Sequence, residues 1–275
     1  MNKNLYIIIQ STSNYNEYLI YLFKSLSNIR LSNIWNLHLI VMSDKEPNFN
    51  LVPNNINKKI YNHIVHYPYP FNAYLFPNII YDFIINNNLN DDDYILKVDS
   101  DTIFRNGNYY NKFENDLLTN KMIFTISPWI KIGGGFNENN ICKESGYEEI
   151  YIENMELEDH LQLSFFAGQI KSFKDFFKNK FEKLQIDLIK DWKCKKIPPM
   201  NEQSLICYIV SKNKEKYIKD NYVINLYKDI ELDDINNEFN HILGCYNTFN
   251  IDDYPNIFLI QKFNGYIKNT IRIST

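Results

Sequence analysis

Apolar runs and amphipathic stretches alternate along the first half of the chain. Leu5-Tyr6-Ile7-Ile8-Ile9 is a short β-rich run, and Tyr15, Tyr18, Leu19, Leu22, Phe23 and Leu26 then recur at helical spacing. Leu37-His38-Leu39-Ile40-Val41-Met42 reads as a second buried strand, ended by the turn-forming Ser43-Asp44-Lys45. After Pro70, the spacing of Leu75, Ile79, Ile80, Phe83 and Ile84 predicts an amphipathic helix, followed by the strand Tyr94-Ile95-Leu96-Lys97-Val98. Met122-Ile123-Phe124-Thr125-Ile126 predicts a further strand. Phe173, Phe176, Phe177, Phe181, Leu184 and Ile189 mark a long helix, and Leu205, Ile206 and Ile209 a shorter one opened by Asn201-Glu202-Gln203. The segment from Ile132 to Glu158, with Gly133-Gly134-Gly135 and many acidic residues, reads as a long, flexible loop of the kind that often serves as a lid. This order predicts an α/β fold: one domain over residues 1–275, with a mixed, mostly parallel central sheet flanked by helices.

Composition narrows the class. With 45% hydrophobic residues, the 275-residue chain can bury a sizeable core. Its 29 Lys and Arg against 33 Asp and Glu leave no basic field for a nucleic-acid backbone, so nucleic acid is excluded as an expected partner. No apolar run approaches the roughly 18 residues that span a bilayer, and Met1-Asn2-Lys3-Asn4 leads into a first strand rather than an anchor. Cys142, Cys194, Cys207 and Cys245 have neither zinc-site spacing nor the density of a secreted scaffold, which points to idle thiols in the cytoplasm.

The chemistry concentrates where a strand ends. In open, largely parallel sheets ligands sit at the carboxyl ends of strands, and Asp99-Ser100-Asp101 follows the strand Tyr94 to Val98 directly. Two carboxylates one residue apart can share a hard divalent cation that also takes phosphate oxygens. The apolar sequence before Asp99 and the segment Thr102-Ile103-Phe104 after Asp101 argue against a solvated turn. Asp91-Asp92-Asp93 has no apolar flank before it and reads as a solvated loop. His38, His160 and His241 have no partner at metal-ligand spacing, and the chain carries no phosphate-cradling GxGxxG or GxxxxGK[ST] loop.

The stretch Tyr94-Ile95-Leu96-Lys97-Val98-Asp99-Ser100-Asp101-Thr102-Ile103-Phe104-Arg105 resembles the acidic motif of the family-6 retaining glycosyltransferases, which include the ABO blood-group and alpha-1,3-galactosyl enzymes. Leu5 to Gln10, Ser43-Asp44-Lys45-Glu46-Pro47 and Ile79-Ile80-Tyr81-Asp82-Phe83 match further family segments in the same order. The resemblance implies a GT-A nucleotide-diphospho-sugar transferase fold, a UDP-sugar donor, a glycan acceptor, and Mn²⁺ or Mg²⁺ on Asp99 and Asp101. A nucleotide-binding half covers about 1–105, an acceptor and catalytic half about 106–260, and a mobile tail about 261–275. It places the nucleobase at Ile8, Ile9 and Gln10, with Tyr15 either stacking on it or packed in the core. Donor contacts extend to Asp99, Ser100 and Asp101, and acceptor contacts to Ser127 and Trp129.

Downstream, Ser164-Phe165-Phe166-Ala167-Gly168 is similar to the family segment against the donor sugar, and it is equally a core strand ending in a glycine turn. On the resemblance, Gln162 and Ser164 sit where relatives separate galactose from N-acetylgalactosamine. Asn201-Glu202-Gln203-Ser204-Leu205 resembles the family's catalytic stretch, putting Glu202 on donor hydroxyls and Gln203 where the family has a glutamate; both also suit the first turn of a helix. An amide is a poor nucleophile but can offer partial negative charge to a developing cation, so a front-face reaction suits this chain better than a covalent intermediate. A register slip of one residue puts Glu202 on the glutamate's place. Lys262 and Lys268 align with two tail cations that close over the diphosphate, and otherwise belong to an ordinary charged terminus. The helix containing Tyr74-Leu75-Phe76 lacks the family's nucleotide-contacting arginines.

Overall fold

The computed structural model describes residues 2–11, 19–62, 76–126, 161–182, 206, 209–210, 212–220, 222–225 and 259–261. The main sheet holds β1 (Lys3–Gln10), β2 (Trp35–Ser43), β3 (Asn57–Asn62), β4 (Tyr94–Asp99), β6 (Met122–Ile126), β7 (Leu161–Gln169) and β8 (Tyr217–Asp220), in the order β3-β2-β1-β4-β7-β6-β8. β3, β2, β1 and β4 pair in parallel, β7 runs antiparallel to both β4 and β6, and β8 is parallel to β6. Six strands therefore share one direction and β7 opposes them. A second, small sheet has β10 (Leu259–Gln261) between β5 (Thr102–Phe104) and β9 (Val223–Asn225).

A central parallel strand is covered on both faces, so it needs an unbroken apolar run rather than alternation. β1 shows how that run divides. Ile8 points into a core with Ile40, Met42 and Ile95, while Leu5, Ile7 and Ile9 point into the other, with Leu39, Val41 and Leu96. The first core is closed by α2 (Phe76–Asn86), which supplies Ile79, Ile80 and Phe83, and by α4 (Ile170–Phe176). α4 continues as a π-helical turn over Phe177–Phe181. The wider turn brings residues five apart above one another, and Phe176 and Phe181 stack at 6.5 Å. Ile206, Ile209 and Val210 are helical and buried in the same core. The second core is closed by α1 (Leu19–Ser25) with Leu22 and Phe23, and by α3 (Asn111–Leu117) with Phe113 and Leu117. Pro77 is accommodated in the first turn of α2, where a missing amide hydrogen costs no intrahelical bond.

The strands and helices expected from spacing are present wherever they fall on described residues. The helix beginning near Tyr15 is described from Leu19 and tightens into a 3₁₀ turn over Leu26–Asn28. The loop from Ile132 to Glu158, the helix beyond Glu182 and the Asn201-Glu202-Gln203 opening lie outside the described residues. Asp91-Asp92-Asp93 differs from its expected role as a solvated loop. Asp93 is 8% exposed. The Asn4 backbone amide donates to its carboxylate at 3.3 Å and the Asn4 side-chain amide at 3.1 Å. Gln169 donates to Asp92 at 3.3 Å, Lys174 pairs with Asp91 at 2.6 Å, and the Ile170 amide donates to the Asp93 carbonyl at 2.8 Å. The triplet thus fastens the start of β4 to the junction of β7 and α4.

Candidate functional site

β1 has β2 on one side and β4 on the other, so the strand order reverses there. A crevice opens at such a switch point, beyond the carboxyl ends of the two strands. Register fills it. Gln10 is the rung partner of both Met42 on β2 and Asp99 on β4. On the other flank of β4 the last paired rung is Val98 with Phe165, so Asp99 on β4 and Ser164 on β7 each come directly after the end of that ladder. The two-residue strand period sends Gln10 to the face of Ile8 and Asp99 to the face of Ile95, which is one face, that of the first core. Gln10 and Asp99, distant in sequence, thus form one row across two strands at the mouth of the crevice.

Lys97, two residues before Asp99, shares that face one layer deeper. Its rung neighbours are the apolar Ile8 and Phe166. The Lys97 side chain is 8% exposed and that of Asp99 37%, with the ammonium 2.5 Å from Asp99 Oδ1. The same ammonium is 5.1 Å from the centre of the Phe76 ring, at the first residue of α2. Ser100 and Asp101 are half-buried in the turn to β5. Arg105, at the end of the motif, is fully buried with its guanidinium 3.6 Å from the Tyr109 ring centre.

β7 is irregular beside this row. Phe124 pairs with Phe166, but the next residue on β6, Thr125, pairs with Gln162, so residues 163–165 of β7 span a single step of its neighbour. Such bulges re-aim side chains and interrupt a ladder next to binding sites. Gly168 has a packing role: at φ +154° a Cβ there would lie 3.0 Å from the Lys121 carbonyl oxygen and 2.9 Å from Met122 Sδ.

Of the expected donor residues, Ile8 and Ile9 are fully buried inside β1, both flanks of which are engaged in parallel ladders. Gln10 is the member of that trio standing at the mouth. Gln162 lies on β7, its side chain outside the described residues, as are Tyr15, Ser127, Trp129, Glu202, Gln203, Lys262 and Lys268. Ser127 follows Ile126 at the carboxyl end of β6. Lys262 follows Gln261, the rung partner of Thr102 next to Asp101.

Among the described residues no three His, Cys, Asp or Glu side chains gather as a metal cluster. The donor chemistry of Asp99 and Asp101 fits a hard cation that fills the rest of its shell with water or phosphate oxygens. Another acidic group, Asp116 and Asp220, is consumed internally. Lys112 pairs with the two carboxylates at 2.8 and 2.5 Å, and the Tyr222 hydroxyl donates to Asp116. Burial, and then the hydrogen bond to Asp116, push the Tyr222 phenol far above its ordinary value. This group ties α3 to β8 and leaves nothing for a ligand. A cavity of about 300 Å³ beside Tyr6, His38, Phe83 and Asn87 lies over the amino-terminal part of β1 and β2, away from Asp99. No helix among the described residues is long and apolar enough to cross a membrane.

Compared with models of known protein families and with curated proteins, the chain matches none. The likeness to the family-6 transferases therefore rests on its sequence motifs alone.

Proposed function

We propose that the chain is a retaining glycosyltransferase of GT-A architecture that transfers galactose or N-acetylgalactosamine from a UDP-sugar to a glycan hydroxyl, using Mn²⁺ or Mg²⁺, in the cytoplasm. The observation that carries this reading is the row Gln10 and Asp99 on one face at the switch point, with Ser164 just past the last rung between β4 and β7. The resemblance assigned these residues separately to nucleobase, diphosphate and sugar, and that is the order in which a nucleotide sugar would lie across the three strands.

In this reading Asp99 and Asp101 hold the cation, which neutralises the charge that builds on the departing diphosphate. Gln10 meets the nucleotide end. Ser164, buried beside the bulge, bounds the space around the second carbon of the sugar. Lys262 and Lys268, which the resemblance assigns to tail cations, would hold the diphosphate and exclude water once it is bound. Gln203 favours front-face transfer, in which the departing phosphate assists the acceptor hydroxyl. That residue also supports a second reading, a nucleotide-sugar binder without turnover.

A thermal-shift screen of UDP-, GDP-, CMP- and dTDP-sugars with and without Mn²⁺ tests the site, because ligands that bind the folded state raise its apparent stability. Stabilisation by UDP-galactose or UDP-N-acetylgalactosamine that needs Mn²⁺ is expected. A preference for UDP-glucose, UDP-N-acetylglucosamine or another nucleotide would replace the donor, and no response to any nucleotide would remove the reading. Donor hydrolysis with and without acceptor then separates enzyme from binder.

A further inference from the structure

We infer that Lys97 is a resident cation of the acidic site and makes capture of the divalent ion conditional on the diphosphate, so that the bare ion binds weakly and the ion with diphosphate tightly. The inference rests on the nucleotide-sugar reading above and deepens it. Its basis is the ion pair of 2.5 Å between the Lys97 ammonium and Asp99 Oδ1, from a side chain only 8% exposed.

Strand geometry keeps Lys97 in place. Residues 97 and 99 of β4 project to the same face, and the row around Lys97 is apolar, with Ile8 and Phe166 as rung partners and the Phe76 ring 5.1 Å away. Water has little access to that ammonium, and the Asp99 carboxylate bonded to it is the more exposed partner, 37% against 8%. An incoming divalent ion meets three consequences. It must compete with Lys97 for Oδ1, it is repelled by a fixed positive charge a few ångströms away, and it finds Lys97, Asp99 and Asp101 carrying together a single net negative charge. A diphosphate meets the opposite field, since Lys97 attracts it while the two carboxylates repel it. Each ligand therefore cancels the charge that opposes the other, and reciprocity of binding free energies requires that each raise the other's affinity by the same factor.

Mn²⁺ binding to the full chain, followed by the electron-spin signal of free Mn²⁺ with and without saturating UDP, tests this without any turnover. In the wild type, UDP is expected to tighten Mn²⁺ at least about tenfold, a factor within reach of one charge at this separation even with solvent screening. Lys97→Met fills the same space without the charge. It should bind Mn²⁺ alone at least about tenfold more tightly than the wild type, with the UDP enhancement reduced by a similar factor. Lys97→Arg should behave as the wild type. Lys97→Gln, which keeps a hydrogen-bond donor toward Asp99, should follow Lys97→Met and serves if that variant does not fold. A mere structural prop for Asp99 would leave Mn²⁺ affinity unchanged or lowered in the folded neutral variants while the wild type still binds Mn²⁺ with UDP; that result overturns this inference alone. Failure of the wild type to bind Mn²⁺ and UDP in any combination overturns the nucleotide-sugar reading, and this inference with it.

Discussion

Asp99 and Asp101 stand one residue apart, and neutralising either one tests the cation site. Both Asp99→Asn and Asp101→Asn are expected to abolish transfer, because each removes a charged oxygen ligand from the cation. Asp99→Asn leaves the buried Lys97 ammonium facing an amide in place of a carboxylate, and a loss of about 1 kcal/mol is expected in denaturant titration. Full activity of Asp101→Asn in Mn²⁺ would remove it as a ligand. His38 supplies a pH test at the opposite end of the strands. Burial holds its imidazole below the ordinary value, against a smaller upward pull from Asp93. The folded state thus resists the proton and the unfolded state takes it first. His38's share of stability is present above about pH 6.5 and declines as pH falls through that value toward the folded one. Urea midpoints at about pH 7.5 and about pH 5 should differ less in His38→Gln than in the wild type; equal differences would show that His38 does not contribute. Asp99 was readable from its strand and spacing. The pairing of Lys97 was less obvious, although a lysine inside an apolar strand, two positions before an aspartate, places both on one face. Asp93 was misleading, because its burial comes from Asn4 on a strand nearly ninety residues earlier.

Among the elements, β7 joins two tasks, since its bulge bears Ser164 and its end must pass close to the start of β6. Gly168→Ala is expected to destabilise by about 1–3 kcal/mol, because a backbone carbonyl and the Met122 backbone cannot both yield to a new Cβ. Calorimetry should show this as a fall of roughly 2–4 °C per kcal/mol. An unchanged melting temperature would mean that β6 moves aside freely. The glycine turn read from Ser164 to Gly168 is in fact a continuing strand, with its glycine required by a neighbour that local sequence does not reveal. Strands buried on both faces were plain in sequence, as in β1, β2 and β4. The sheet edges were not. β3 reads Asn-Lys-Lys-Ile-Tyr-Asn, and β8 reads Tyr-Ile-Lys-Asp. Polar and charged residues at an edge blunt unwanted pairing, and the same residues hide the strand from a search for apolar runs.

For the whole molecule, the mostly parallel sheet and its helical layers followed from alternating patterns, whereas strand order and the pairing of Gln10 with Asp99 depended on contacts that no local period encodes. The C-terminal segment tests how far the assembly extends. Gln261 belongs to β10, so a stop codon after Gln261 keeps the small sheet and removes Lys262 and Lys268. Turnover and donor affinity should fall steeply, with little change in the melting temperature of the unliganded protein. Equal hydrogen exchange of residues 262–275 with and without UDP and Mn²⁺ would argue against a closing tail. β10 also has a temporal consequence. It is the middle strand of the small sheet, and it meets β5 across more than half the chain, whereas β1 pairs with β2 and β4 over much shorter separations. Closing the longer loop costs more entropy before any contact repays it. In quenched-exchange refolding, the amides of Leu259 to Gln261 should therefore gain protection after those of β1 and β4. During synthesis, a ribosome that has not yet released residue 261 would hold a chain with its main sheet formed but with the strand beside Asp101 still waiting for its partner.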